Sequence, residues 1–237
     1  MSSPRSTRFE RFELRTTALS AARDFYEQVV GAAFWGPRVS ATALPEQALA
    51  RGAKPHWVGH IGVDDPLAVA ARVVKRGGQQ LGPTLRDAAG VPYVFLRDPF
   101  GALLALGAKR DDPAEHAVTR HLLHTTDHEQ AFAFYAELFG WHPLDEGELP
   151  GVEGARHRTF AWDRTGNAVG SVTNAARLPA IHRQWLYVFE VADVTRACEV
   201  IRGNGGLTLE PVRLGNGEVF VAADDPQGAA FDLHQRA

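Results

Sequence analysis

Two pairs of residues in the second half of the chain are spaced so that they could do chemistry together. Arg120 and His124 lie four apart in the alternating stretch 119–125, and Asp232 and His234 lie two apart in 229–234, so each pair falls on one face of a strand. A carboxylate and an imidazole held side by side can take up and return a proton, and a guanidinium can anchor an anionic or phenolic group. Glu190, near the end of the apolar run 185–191, adds a second carboxylate. In the first half Arg11 and Glu13 alternate with Phe12 and Leu14, so that stretch reads as a half-buried strand with one charged face. An ion pair with Glu13 or Asp232 is the plain alternative to a ligand anchor for the two arginines. His60 and Trp162 are further candidates for ligand contact, each weighed against simple packing. Cys198, the one cysteine, falls on an apolar helix face and reads as a small buried hydrophobe, which excludes a disulfide scaffold.

The elements that must position these residues are written twice. Trp185, Val191, Asp193, Gly205-Gly206 and Asp225-Pro226-Gln227-Gly228 repeat the order of Trp57, Val63, Asp65, Gly77-Gly78 and Asp98-Pro99-Phe100-Gly101. Each set predicts a strand, a capped helix that ends on glycine, and a final pair of strands joined by Asp-Pro-x-Gly. Upstream of each set stands another strand and helix: residues 9–16 followed by a stripe through Phe25 and Tyr26, and 119–125 followed by a stripe through Phe134 and Tyr135. Four β-α-β-β-β modules result. Fewer residues separate Tyr26 from Trp57 than Tyr135 from Trp185, so the first half is shorter by about a hairpin. The expected domains are residues 1–109 and 117–237, with a polar linker at 110–116.

Bulk properties fit a soluble globular protein, with 45% hydrophobic and 22% charged residues. A net charge of -3 gives no reason to expect a nucleic-acid or membrane surface. The basic N-terminal residues lack the apolar core of a signal peptide, so the cytoplasm is the expected compartment.

The doubled order of landmarks resembles the vicinal oxygen chelate superfamily of glyoxalases, bleomycin resistance proteins and extradiol dioxygenases, in particular glyoxalase-like proteins with two fused domains. The resemblance implies an α+β fold of tandem modules, with two cupped mixed sheets carrying helices on their outer faces. It also implies a bound small molecule, and it allows a homodimer. Metal-using members draw ligands from the first strand, the strand before the second helix and the last strand of each half. Carried over, those positions hold Arg11, Val58 and Ala105 in the first half and Arg120, Leu186 and Asp232 in the second, and of these only Asp232 can donate to a metal. No cofactor is therefore expected, the one exception being a divalent ion on a shifted set of His124, Glu190, Asp232 and His234. The expected site is a ligand-binding cup in the second half, with Arg120 against Asp232 at its floor and His124, Glu190 and His234 around them. A metal-independent isomerase, cyclase or lyase, and a metal-dependent lyase or dioxygenase with displaced ligands, are the alternatives.

Overall fold

The computed structural model describes residues 6–87, 89–110 and 118–237. Apart from Arg110, the expected linker lies outside the described residues. The first module runs β1 (Phe9–Thr16), α1 (Leu19–Val29) and β2 (Val39–Ala43), followed by a short helix α2 (Glu46–Ala50). The second has β3 (His56–Val63), α3 (Pro66–Lys75), the two-residue strands β4 (Gln79–Gln80) and β5 (Leu85–Arg86), then β6 (Pro92–Arg97) and β7 (Leu103–Ala108). The third contains β8 (Val118–His124), α4 (His128–Phe139), β9 (His142–Glu148), β10 (Arg156–Ala161) and β11 (Gly170–Thr173). The last comprises β12 (Gln184–Glu190), α5 (Val194–Gly203), the short β13 (Leu207–Thr208) and β14 (Val212–Arg213), then β15 (Val219–Asp224) and β16 (Ala230–Gln235). Strands β1 to β7 form one mixed sheet and β8 to β16 another, so the fold is the α+β architecture that the repeated landmarks predict. Among the described residues the first module has no strands in the places of β9 and β10.

The landmark residues form these elements for local reasons. Asp65 accepts from the amides of Leu67 and Ala68, Asp127 from Gln130 and Asp193 from Arg196, so three helices begin on a carboxylate cap. Each glycine pair divides its labour: Gly77 and Gly205 adopt positive φ of 93° and 87°, while a Cβ on Gly78 or Gly206 would sit 2.6 Å from Val73 or from the Asp224 carbonyl. The first glycine turns the chain and the second lets it pass close to the helix. The α1 start has no side-chain cap of its own, and the Ala18 amide instead reaches Gln227 Oε1 at 3.2 Å.

The chain divides into two compact units, each drawing on both halves of the sequence. The first contains Gly59 to Arg110 and His121 to Trp185, together with the start of β1. In it β3 runs parallel to β7, which is antiparallel to β6, while β8 runs parallel to β11, which continues through β10 to β9. The second contains Arg11 to Val58 and Leu186 to Ala237, with the start of β8. There β1 runs parallel to β2, and β12 runs parallel to β16, which continues antiparallel to β15.

Candidate functional site

Each unit is held by the same buried joint, and the joint fixes which strand face is left for chemistry. In the second unit the Trp57 indole donates to the Tyr26 hydroxyl at 2.8 Å, and that hydroxyl donates to Asp225 Oδ2 at 3.3 Å. In the first, Trp185 donates to Tyr135 at 3.0 Å and Tyr135 to Asp98 at 2.7 Å. The other oxygen of each aspartate closes its Asp-Pro-x-Gly turn, Asp98 accepting from Phe100 and Ala102, Asp225 from Gln227 and Ala229. Burial pushes both carboxyls above their ordinary value, and the bonds they accept pull the other way. Phe231 packs edge-on against Tyr26 on this side of β16, so Asp232 and His234 face away from the helices.

That opposite face of the second unit collects most of the predicted residues. Strand register sets Val188 beside Asp232 and Glu190 beside His234, and sets Ala222 and Phe220 beside the same two residues on the other flank. Arg120 does not pair with Asp232 as expected. Its guanidinium donates to Glu218 at 3.1 and 3.3 Å and lies 5.6 Å from the Phe220 ring centre. The physical reason is solvation: Glu218 is half-buried just before β15, whereas Asp232 is only 7% exposed and would have to draw a charge inward. Glu218 also lies 3.2 Å from His234 Nε2, without hydrogen-bond alignment, and the His234 ring stacks on Phe220 at 4.5 Å. Glu190 is held by Arg236 at 2.7 Å. Asp232 Oδ1 and His234 Nδ1 are sealed from solvent with no hydrogen-bond partner among the described residues. Burial raises the Asp232 carboxyl to about 7 and lowers the His234 imidazole, so both favour their neutral forms. Glu218 and Phe220 were not predicted, although alternation from Ala222 places both on this face.

The remaining candidates have other partners. Arg11 lies 3.8 Å from Glu13, which Arg15 contacts at 3.0 Å and the Thr42 hydroxyl also reaches, so on β1 the ion-pair alternative is realised. In the first unit His60 is buried against Tyr93 and Phe95, at ring distances of 5.7 and 5.6 Å. Trp162 packs edge-on in an aromatic cluster with His121, Trp141 and Phe160. His124 ends β8 with its Nδ1 buried and without a partner among the described residues, and desolvation lowers its pKa to about 4. His157 belongs to β10, and its Nδ1 is likewise sealed.

The donor chemistry does not fit the metal of the superfamily. Leu186 and Val58 offer nothing at the second expected position, and Arg120 and Arg11 offer no lone pair at the first. Glu190 of the shifted set is drawn to Arg236. Among the described residues, the group whose ligand atoms lie within 4.8 Å of one another is His128, Glu129 and Glu146. His128 Nε2 is 3.5 Å from Glu146, but Arg156 and Arg158 already hold that carboxylate and keep it well below its ordinary pKa. A cation there must displace two guanidinium groups. Among the described residues no helix is long and apolar enough to cross a membrane.

Comparison with known proteins agrees with this architecture. A "Putative glyoxylase CFP32" of Mycobacterium bovis is 27% identical over 246 residues, covering 93% of this chain and 92% of its own, and the Mycobacterium tuberculosis protein matches equally. Among solved structures, the 2,3-dioxygenase LapB from Pseudomonas sp. KL28 superposes with a TM-score of 0.63 at 14% identity, over 97% of this chain and 92% of LapB. The Mn(II)-bound glyoxalase from Novosphingobium aromaticivorans gives 0.61 at 14% identity, over 98% of this chain and 82% of its own. At such identity the likeness speaks for the fold alone. The family model for the Glyoxalase/Bleomycin resistance protein/Dioxygenase superfamily matches residues 115–233, and the chain belongs to that superfamily.

Proposed function

We propose that the protein binds a small, partly aromatic organic molecule on the helix-distal face of its second unit, and that it does so without a divalent metal. The observation that carries this reading is the pair of sealed, unpartnered polar atoms, Asp232 Oδ1 and His234 Nδ1, on adjacent positions of one strand face. Buried polar atoms are nearly always hydrogen-bonded, and a ligand is the partner that a superfamily of small-molecule-handling proteins leads one to expect. Val188 and Leu186 supply an apolar wall next to them. Thermal-shift and calorimetric titration with a panel of phenols, aryl alcohols and aromatic acids tests this. At least one class should raise the melting temperature saturably, and the Asp232→Ala and His234→Ala proteins should lose at least about tenfold in affinity. Panel members that all fail to bind, or bind both variants unchanged, overturn the reading. Near one equivalent of zinc, nickel, iron or manganese in the purified protein overturns its metal-independent part.

A second reading is proton transfer on the same face. A carboxyl poised at about 7 beside a neutral imidazole is suited to act as general acid or base, as a metal-independent isomerase, cyclase or lyase requires. Turnover of a bound carbon acid, lost in Asp232→Asn with binding retained, distinguishes it from binding alone.

A further inference from the structure

The charges on this face are answered unevenly. Glu218 takes both contacts of the Arg120 guanidinium, and Arg236 takes Glu190. Once those pairs are set aside, what stands without a hydrogen-bond partner among the described residues is a carboxyl oxygen, Asp232 Oδ1, with His234 Nδ1 beside it. An incoming carboxylate or phosphate would meet Glu218 as a like charge and would have to draw Arg120 away from an existing ion pair. A hydroxyl or amino group meets an acceptor that nothing else satisfies. The Phe220 ring has His234 stacked on it and Arg120 near it, so the apolar body of the ligand has Leu186 and Val188 to lie against.

Resting on the binding reading above, we propose that the ligand is a hydrogen-bond donor, a hydroxyl- or amine-bearing molecule and not an anion, and that Glu218 is the specificity-determining residue because it neutralises Arg120. The arrangement is one of selection by repulsion as much as by attraction. Removing the charge of Glu218 frees a guanidinium on the same face, so one substitution should turn a donor-selective site into an anion-accepting one.

Three probes with one aromatic body separate the possibilities: benzyl alcohol, benzylamine and benzoate, titrated into the full-length protein by calorimetry. For the wild type, the tighter of the two donor probes should exceed benzoate by at least about tenfold in affinity. Glu218→Gln should raise the affinity for benzoate relative to the tighter donor probe by about tenfold or more. Arg120→Gln, a second variant whose fold is checked by circular dichroism, should leave benzoate as weak as in the wild type. Benzoate binding as tightly as the donor probes, or an unchanged probe ratio in a folded Glu218→Gln protein, overturns this inference while leaving the binding reading intact. Failure of all three probes on the wild type, together with failure of the wider panel, overturns both.

Discussion

The two compact units keep one joint and diverge on one face. Trp57, Tyr26 and Asp225 in the second unit repeat Trp185, Tyr135 and Asp98 in the first, donor for donor. On the helix-distal strands the corresponding positions share almost nothing. Glu218, Phe220, Asp232 and His234 of the second unit answer to Val91, Tyr93, Ala105 and Gly107 of the first, aligned by the shared Asp-Pro-x-Gly turn and by the same strand register. Gly62 stands where the other copy has Glu190, and a Cβ there would sit 2.5 Å from the Glu10 carboxyl, so the first unit fills that place with its own side chain. Even the variable position of the turn differs: Phe100 packs edge-on against Phe134, whereas Gln227 reaches the start of α1. The difference teaches that the repeated landmarks serve packing, while the two units are free to diverge at positions that the joint does not use.

If the joints are equivalent, removing either tryptophan should cost alike. Trp57→Ala and Trp185→Ala should each destabilise by about 3–5 kcal/mol in denaturant unfolding. A loss below about 1 kcal/mol at one site would break the equivalence.

The free faces should differ in pH response, with opposite signs. Asp232 has its folded pKa raised to about 7 from an ordinary 3.8, so the folded state binds the extra proton between those values. That contribution to stability is present at low pH and is lost as pH rises towards 7. Asp232→Asn should therefore stabilise by about 2–4 kcal/mol at pH 8, with the gain vanishing near pH 4. His124 in the first unit has its pKa depressed to about 4 from 6.5, so its contribution is present above 6.5 and is lost as pH falls towards 4. His124→Gln should flatten that acid limb by about 1–2 kcal/mol, since the residue is half-buried. Melting temperatures of both variants from pH 4 to 8 check the two signs, and slopes of the same sign would contradict the assignment.

A finer test distinguishes the joints by length. Tyr135→Phe should cost about 1–3 kcal/mol and Tyr26→Phe less, because the first removes a 2.7 Å bond to a buried aspartate and the second a 3.3 Å one. Equal losses would mean that the aspartates, not the bond lengths, set the cost. The smallest expected effect is at the turn. Gly228 has φ of 87°, and valine there should destabilise by more than about 1 kcal/mol, as should Gly101→Val at φ of 104°. An unchanged melting temperature in either would remove the turn from the shared set.

The sequence by itself determined the elements and their order. Residues 9–16, the Asp127 cap, the glycine pairs and both Asp-Pro-x-Gly turns are local matters, decided by alternation, by a carboxylate reaching an amide three residues on, and by backbone angles that glycine alone takes without strain. It also set Asp232 and His234 on one face of their strand, because alternation along a strand is a property of the strand alone. What only the tertiary structure decided is partnership. Tyr26 meets Asp225 and not Asp98, and Tyr135 meets Asp98 and not Asp225, a choice that two nearly identical sets of landmarks cannot express, since each aspartate offers the same carboxyl in the same turn. Arg120 likewise takes Glu218 in place of Asp232 because the depth of a carboxylate in the folded chain, which no spacing records, sets whether a charge can reach it.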